Sequence, residues 1–360
     1  MIGTFSSNRR WRRILLLLGA AVVAYALLAP LTSLDAAQSI NLPLLADKLW
    51  FRIATIIAMF VVMATAWNII GGLAGYAAFG NVAFFGIGAY TTGMLIAKAK
   101  WPFLLALPFA PVAAAVFAAV VGLPLLRLRG HYFAVASLGV GVAVGELVQN
   151  IDYQGQPLFG GASGLFLPIF SIDNRGLFFF YLMSGAAAIS IAITWWVLRS
   201  RFGYGLIAIR ENEEAAAVIG VNTTAHKVAA FALAAALTGL AGGIFSQWNV
   251  FIDQENSFPI EYNVQMILMA LAGGTGTVFG PAAGAILLQL LLQFLSGSLP
   301  ITMNLPFVPS NAQPVLAQII LGLLLMMVVM FAPRGVIDFF GGRSRLSLSD
   351  LRRSLRETSI

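Results

Sequence analysis

Ten runs of mostly apolar residues constrain this chain more than any other feature. A transmembrane helix needs roughly 20 predominantly apolar residues to cross a hydrocarbon core about 30 Å thick. Of the 360 residues, 59% are hydrophobic and 10% are charged, which is far from the balance of a water-soluble domain. We therefore predict an all-α, polytopic transmembrane helix bundle of about ten crossings. The predicted spans are Ile14–Leu31, Ile53–Gly72, Ala77–Ala97, Phe103–Leu126, Tyr132–Val148, Leu177–Leu198, Ala229–Trp248, Tyr262–Thr275, Pro281–Leu295 and Val315–Ala332.

Basic residues orient these spans. Cytoplasmic loops collect Lys and Arg, whereas acidic residues contribute little to orientation. A cytoplasmic N-terminus places sixteen of the 21 Lys and Arg residues inside, while the outer loop 253–261 carries three acids and no base. We therefore expect both termini in the cytoplasm. The two short runs between Tyr262 and Leu295 then count as two crossings, with a broken or re-entrant pair as the alternative.

The first span has the pattern of either a signal peptide or an uncleaved anchor. A cluster of four Arg residues between Arg9 and Arg13 precedes an apolar run, as in a secretory signal. The run is close to span length, and no clear small-x-small cleavage site follows Pro30. We expect an uncleaved anchor.

Several kinds of chemistry find no support in the sequence. There is no Cys, and His131 and His226 lack the nearby partners of a metal site. Basic residues are scattered rather than gathered on one face, which argues against nucleic acid binding. Paired catalytic groups are missing, so we assign no catalytic residue and disfavour a membrane enzyme. A Gly-Lys pair, which a phosphate-binding P-loop requires, is also missing, so any ATP would be hydrolysed by another polypeptide.

Small residues cluster in two similar stretches, Gly71–Gly75 and Leu271–Gly274, which is consistent with a weak internal repeat. One interpretation is close helix packing. The other is a pair of interrupted helices that line a substrate path. Glu146, near the outer end of a predicted span, is either a contact of that path or a helix-end residue that reaches water. The candidate path residues are Gly80, Asn81, Glu146, Gly273, Gly274 and Gly276.

The hydrophilic loop 199–227 stands out in an otherwise apolar chain. We predict a short helix from Glu211 to Ile219, because acids favour its first turn and Gly220 suits a left-handed stop. Its apolar residues Ala215, Val218 and Ile219 could pack into a groove on a partner. The alternative is a solvated amphipathic helix without a partner.

Six short motifs stand out between residues 67 and 335. They are Gly75–Tyr90, Leu126–Ala134, Gly160–Gly164, Arg201–Asn222, Ala272–Pro281 and Phe331–Gly335. Together they resemble the LivM family of branched-chain amino acid importer permeases. Within the loop, Glu214-Ala-Ala followed after three residues by Gly220 also matches the first half of the EAA signature of ATP-binding-cassette importer permeases, while the second half is absent.

This resemblance implies a function for the matching part of the chain, in which residues 51–335 would form a permease core with a coupling loop at 199–227. The two ends lie outside the match. From their composition we expect residues 1–50 to form a basic N-terminal segment, first span and outer loop, and 336–360 a basic cytoplasmic tail that lies against lipid. The resemblance also implies that the loop contacts ATPase subunits. The coupling residues would be Arg210, Glu211, Glu213, Glu214, Ala215, Ala216 and Gly220.

The implied assembly is an importer in a bacterial inner membrane. Its partners would be a LivH-like permease, two cytoplasmic ATPases that use ATP and Mg, and an extracytoplasmic binding protein; this chain would bind no cofactor itself. Many relatives have a Ser-Leu-Gly-His-type run where this chain has Phe79-Gly-Asn-Val82, so the substrate does not follow directly. Urea, amides and other amino acids are alternatives to a branched-chain amino acid. A self-sufficient secondary carrier is the rival mechanism.

Overall fold

The computed structural model describes residues 48–153, 156–157, 159–170 and 174–295. The predicted spans Ile14–Leu31 and Val315–Ala332 and the tail 336–360 lie outside these residues. Within them the chain is mainly helical, with two small two-stranded antiparallel pairs. The helices are α1 Lys48–Asn68, α2 Val82–Ala97, α3 Phe103–Ala106, α4 Phe109–Leu125, α5 His131–Asn150, α6 Arg175–Arg199, α7 Arg201–Glu211, α8 Glu213–Val218, α9 Thr223–Asn249, α10 Gln254–Ser257, α11 Ile260–Gly273 and α12 Gly280–Leu295; the strands are β1 Asp152–Tyr153, β2 Gln156–Pro157, β3 Leu165–Phe166 and β4 Phe251–Ile252.

Five helical segments in the described residues are long and apolar enough to cross a membrane. Two shorter apolar helices, α2 and α12, accompany them, and α11 has 14 residues. The chain is thus a multi-pass membrane protein. Ten crossings and cytoplasmic termini stay predictions. The five long segments are Phe51–Leu73, Phe103–Leu125, His131–Asn150, Arg175–Arg199 and Thr223–Asn249.

Helix α9 forms the centre of the bundle, where it packs closely against α2 and α4. The contact with α2 is reciprocal: a Cβ at Gly88 would overlap the carbonyl of Gly239, and a Cβ at Gly242 would overlap that of Phe85. Such contacts let helix backbones approach directly, as small residues do in membrane bundles. On the other side of the bundle, α1 packs against α6 and α12.

The start of α2 differs from the predicted span Ala77–Ala97, because the helix begins only at Val82. The segment before it enters the bundle in a non-helical conformation, and side chains satisfy its backbone. Phe79 N donates to Ser137 Oγ (2.9 Å), and Val82 N donates to Asn263 Oδ1 (2.9 Å). Hydropathy reports how favourably side chains leave water, and it does not report backbone conformation. The apolar residues at 77–79 therefore made the non-helical segment look like part of a helix.

Large apolar side chains cover the outer faces of α4 and α5. In water such an extended apolar surface would mark an interaction site, whereas lipid or another membrane helix accommodates it. This surface agrees with a membrane bundle in which polar groups face inward. Its members include Val112, Val116, Val120, Leu123, Val135, Leu138, Val142 and Leu147.

Replacing Gly242 by Ala should destabilise the bundle, because the added methyl group overlaps the backbone of α2. Overpacking of this kind costs about 1–3 kcal/mol. Gly139 is the matched control, since it lies in a helix and a Cβ there meets nothing within 4 Å. We expect Gly242→Ala to lower the thermal unfolding midpoint of the detergent-solubilised protein and Gly139→Ala to leave it unchanged or higher. Equal midpoints would contradict the close packing of α2 and α9.

Candidate functional site: the coupling loop and its anchors

The hydrophilic loop 199–227 folds into two helices rather than the single predicted helix Glu211–Ile219. Asn212 is extended (φ −161°, ψ 109°) and separates α7 from α8. Its side-chain oxygen accepts a hydrogen bond from Ala215 N (3.0 Å), so it caps the start of α8. Glu211 therefore ends α7, and the prediction that it lies in the first turn of the docking helix is wrong. Glu213 and Glu214 do occupy that turn.

Helix α8 presents an apolar end to its surroundings. Val218 and Ile219 are 86% and 76% exposed, and Ala215 is also exposed, whereas Ala216 is buried against the bundle. Gly220 follows with φ +91°, which confirms the left-handed stop. The helix thus has one face fixed to the chain and an apolar end that is largely exposed among the described residues.

A buried ion pair fixes the inner side of α8, and we name the group around it the ion-pair anchor. Lys227, only 4% exposed, donates from Nζ to Glu213 Oε1 (2.6 Å). The same Nζ donates to Tyr76 OH (3.0 Å) and to the carbonyl of Leu126 (3.0 Å). Arg129 adds an exposed contact to Glu213 at 3.7 Å. The anchor thereby joins α8 to α9 and to the segments that follow α1 and α4.

The protonation states of Glu213 and Tyr76 in this anchor depend on the groups around them. Burial alone would raise the pKa of Glu213, but hydrogen bonds from Lys227 and Tyr76 and the nearby cations outweigh it, so this pKa lies below the ordinary value of a Glu side chain. Burial and the hydrogen bond to Glu213 raise the pKa of Tyr76, which keeps its phenol protonated. The ion pair therefore stabilises the protein at pH values above the ordinary pKa of a Glu side chain, and this contribution is lost as pH falls through the lowered pKa of Glu213.

A second group, the arginine anchor, holds the end of α7. Arg210 Nη1 donates to the carbonyl of Gly72 (2.9 Å), which lies in a π-helical extension of α1 at Ile69–Leu73. The side chain of Asn68 accepts from Gly276 N (2.7 Å) and donates to the carbonyl of Thr277 (2.9 Å). The arginine anchor consists of Arg210, Gly72, Asn68, Gly276 and Thr277.

The two Gly-rich stretches noted in the sequence come together in space, through Gly72 of the first and Gly276, two residues beyond the second. A Cβ at Gly72 would lie 2.7 Å from Gly276 N, and one at Gly276 would lie 3.0 Å from Arg210 Nη1. Gly276 also has φ +76°, where glycine is favoured. Glycine is required here because the end of α1, the turn between α11 and α12, and the loop converge.

The structure does not bring the candidate residues of the substrate path together at one site. Gly80 packs against the carbonyl of Ser137, and Gly273 against that of Gly280, which are contacts of close packing. Asn81 is buried, and neither side-chain polar atom has a hydrogen-bond partner in the described residues. Glu146 is exposed near the far end of α5 and accepts a hydrogen bond from Gln254 (3.2 Å). Thus the structure does not bring Glu146 to the Gly-rich turns.

Sequence reasoning missed the roles of Lys227, Tyr76 and Asn68 in the anchors and of Asn212 as the cap of α8. Lys227 counted only as one more basic residue of a loop, and Tyr76 and Asn68 passed as parts of apolar segments. Asn212 carried a usable signal, because Asn followed by two acids and a run of Ala is typical of a helix N-cap. The roles of Lys227, Tyr76 and Asn68 depend on contacts between segments that are far apart in the sequence, so no local pattern predicts them.

Breaking the buried ion pair should destabilise the protein strongly. Lys227→Met leaves Glu213 partly buried without its main partner, which costs about 3 kcal/mol. Glu213→Gln should also destabilise, and the double variant should be less destabilised than the sum of both, because the two groups interact directly. Thermal and denaturant unfolding of the detergent-solubilised variants measures this cycle.

Arg129→Ala is the control for that cycle, since its side chain is 62% exposed and its contacts are on the surface. We expect little change in its unfolding midpoint. Strict additivity of Lys227→Met and Glu213→Gln would show that the pair does not interact as described.

Comparison with known proteins places these features in a family. The family model described as "Branched-chain amino acid transport system / permease component" matches residues 49–329. The high-affinity branched-chain amino acid transport system permease protein LivM of Escherichia coli (strain K12) is 29% identical over 270 residues, covering 68% of this chain and 63% of that protein. The LivM protein of Salmonella typhimurium is 29% identical over 260 residues, covering 66% and 61%.

A further relative is named for a different substrate. The nucleoside ABC transporter permease protein NupC of Lactococcus lactis subsp. cremoris is 30% identical over 185 residues, covering 49% of this chain and 56% of that protein. This chain therefore spans less than two thirds of the length of these relatives. No solved structure matches it. Since the family model covers most of the chain, including both anchors, the chain belongs to the family of permease components of branched-chain amino acid transport systems.

Proposed function

We propose that this chain is the membrane-spanning permease subunit of an ATP-driven importer for branched-chain or similar small amino acids. The observation that carries the proposal is α8, a short helix whose apolar end is exposed while its other side is held by a buried ion pair. Such a helix is suited to dock into a groove on a partner. Because the chain belongs to a family of transport permeases, an ATPase is the partner that we propose for this helix.

The proposed assembly contains this chain, a LivH-like companion permease, two cytoplasmic ATPases and an extracytoplasmic binding protein. It lies in a bacterial inner membrane, with the coupling loop on the cytoplasmic side. ATP and Mg are used by the ATPases. Alternating access of the two permeases then moves the substrate across the membrane.

Within the path, Asn81 has the strongest support. Its amide is buried at the start of α2 and has no partner in the described residues, so a substrate group or a water molecule could pair with it. Helix N-termini favour anionic groups such as an amino-acid carboxylate. We retain Gly80, Gly273, Gly274 and Gly276 as backbone neighbours of the path and Glu146 as an outer contact.

Uptake by the reconstituted complex tests the function. Proteoliposomes that contain this chain with its companion permease, ATPases and binding protein should accumulate a branched-chain amino acid only when ATP is supplied on the ATPase side. Uptake by this chain alone without ATP would instead support a secondary carrier. Accumulation of a nucleoside but no amino acid would keep the importer and change its substrate, as the similarity to NupC allows.

Charging the apolar end of α8 should separate the ATPase from the permease. The double variant Val218→Asp/Ile219→Asp puts two charges into the proposed docking surface, and we expect copurification of the ATPase to fall about tenfold or more. Ile169→Asp is the matched control, because Ile169 is also a largely exposed apolar residue but lies outside the coupling loop. ATPase retention by the double variant at the level of the control would refute docking through α8.

A further inference from the structure

Arg210 lies where the coupling loop meets the ends of three apolar helices. Its Nη1 donates to the carbonyl of Gly72 at the end of α1 (2.9 Å). The same nitrogen would be 3.0 Å from a Cβ at Gly276, in the turn that joins α11 to α12. A Cβ at Gly75 would lie 2.7 Å from Arg210 Cγ. The side chain therefore contacts both Gly-rich turns, while 39% of it stays exposed.

The carbonyl that Arg210 binds belongs to a special part of α1. Residues Ile69–Leu73 form a π-helix, in which backbone hydrogen bonds skip one residue more than in an α-helix. Such single turns often occur at functional sites. Here the turn brings a backbone oxygen to a charged donor, and a charge-assisted hydrogen bond is stronger than a neutral one.

Asn68 ties the end of α1 to the turn between α11 and α12. It is fully buried, and its amide bonds to both Gly276 N and the carbonyl of Thr277. A displacement of the loop that pulls on Gly72 therefore reaches the turn between α11 and α12 through Asn68. Each step between Arg210 and the turn that joins α11 to α12 is therefore a hydrogen bond or a direct contact.

The arginine anchor is distinct from the ion-pair anchor. The ion-pair anchor holds α8 through Glu213 and Lys227, whereas Arg210 contacts the Gly-rich turns. The two anchors share no hydrogen bond among the residues that the structure describes. Loss of Arg210 would thus leave the docking helix attached to α9.

We propose that Arg210 is a positioning residue that transmits movement of α8 to α1, α11 and α12, while the ion-pair anchor keeps α8 in its docking position. This inference rests on the proposed function. It assigns the two anchors different tasks: one determines whether the ATPase binds, and the other determines whether ATP hydrolysis moves the helices. A defect in transmission lowers transport per ATP without lowering ATPase binding.

The experiment measures uptake per ATP hydrolysed in the reconstituted complex of full-length chains. Arg210→Ala should keep ATPase copurification and ATP hydrolysis but lower uptake per ATP about tenfold, because one charge-assisted hydrogen bond is lost. Arg210→Lys should restore part of the uptake, since an ammonium group can still donate to one carbonyl but lacks the second arm of the guanidinium. Arg201→Ala is the control: Arg201 lies in the same helix and is exposed, and its side chain has no hydrogen bond or ion pair in the described part of the chain.

Unchanged uptake per ATP in Arg210→Ala would overturn the inference, and so would a loss of ATPase copurification by a stably folded variant. If Arg210→Ala does not insert, Arg210→Gln carries the same test, because it keeps a donor and removes the charge. Absence of ATP-dependent uptake in the unmodified complex would overturn the proposed function itself. The two failures are therefore distinguishable.

Discussion

Backbone groups that leave helical hydrogen bonding inside a membrane bundle must find partners in the protein, and this requirement organises the structure. Water is scarce there, so an unsatisfied N–H or carbonyl costs several kcal/mol. The segment between α1 and α2 meets the requirement through side chains: Trp67 Nε1 donates to the carbonyl of Ala78 (2.8 Å), and Ser137 accepts from Phe79 N. Each break in a helix therefore ties the chain to another helix.

The same rule explains why the breaks coincide with the coupling loop. Gly72, at the π-helical end of α1, has a carbonyl that Arg210 binds, and Gly276 has an N–H that Asn68 binds. Helix interiors leave no such groups for a loop to bond, whereas helix ends and turns do. Irregular backbone thus provides contact points between a polar loop and an apolar bundle, at positions where glycine lets the groups approach.

Hydropathy and charge predicted most of the helical segments, since both properties are local. The left-handed stop at Gly220 was predictable for the same reason, because the sequence itself carries the signal. The start of α2 at Val82 was not, because apolar residues continue without interruption into the non-helical segment. The pairing of Glu213 with Lys227 also escaped prediction, since it depends on how α8 folds back onto α9. Local signals therefore located the loop but not its anchors.

Lys227 also explains why the loop and α9 depend on each other. It lies in the second turn of α9, near the positive end of the helix dipole, where a buried cation is unfavourable. Glu213 offsets this with its charge, and it lies at the N-terminus of α8, where an acid is favoured. The Glu213 carboxylate is thus favourably placed with respect to the N-terminal ends of both α8 and α9. Because α9 is the centre of the bundle, the position of α8 is set by the core and not only by the surface loop that contains it.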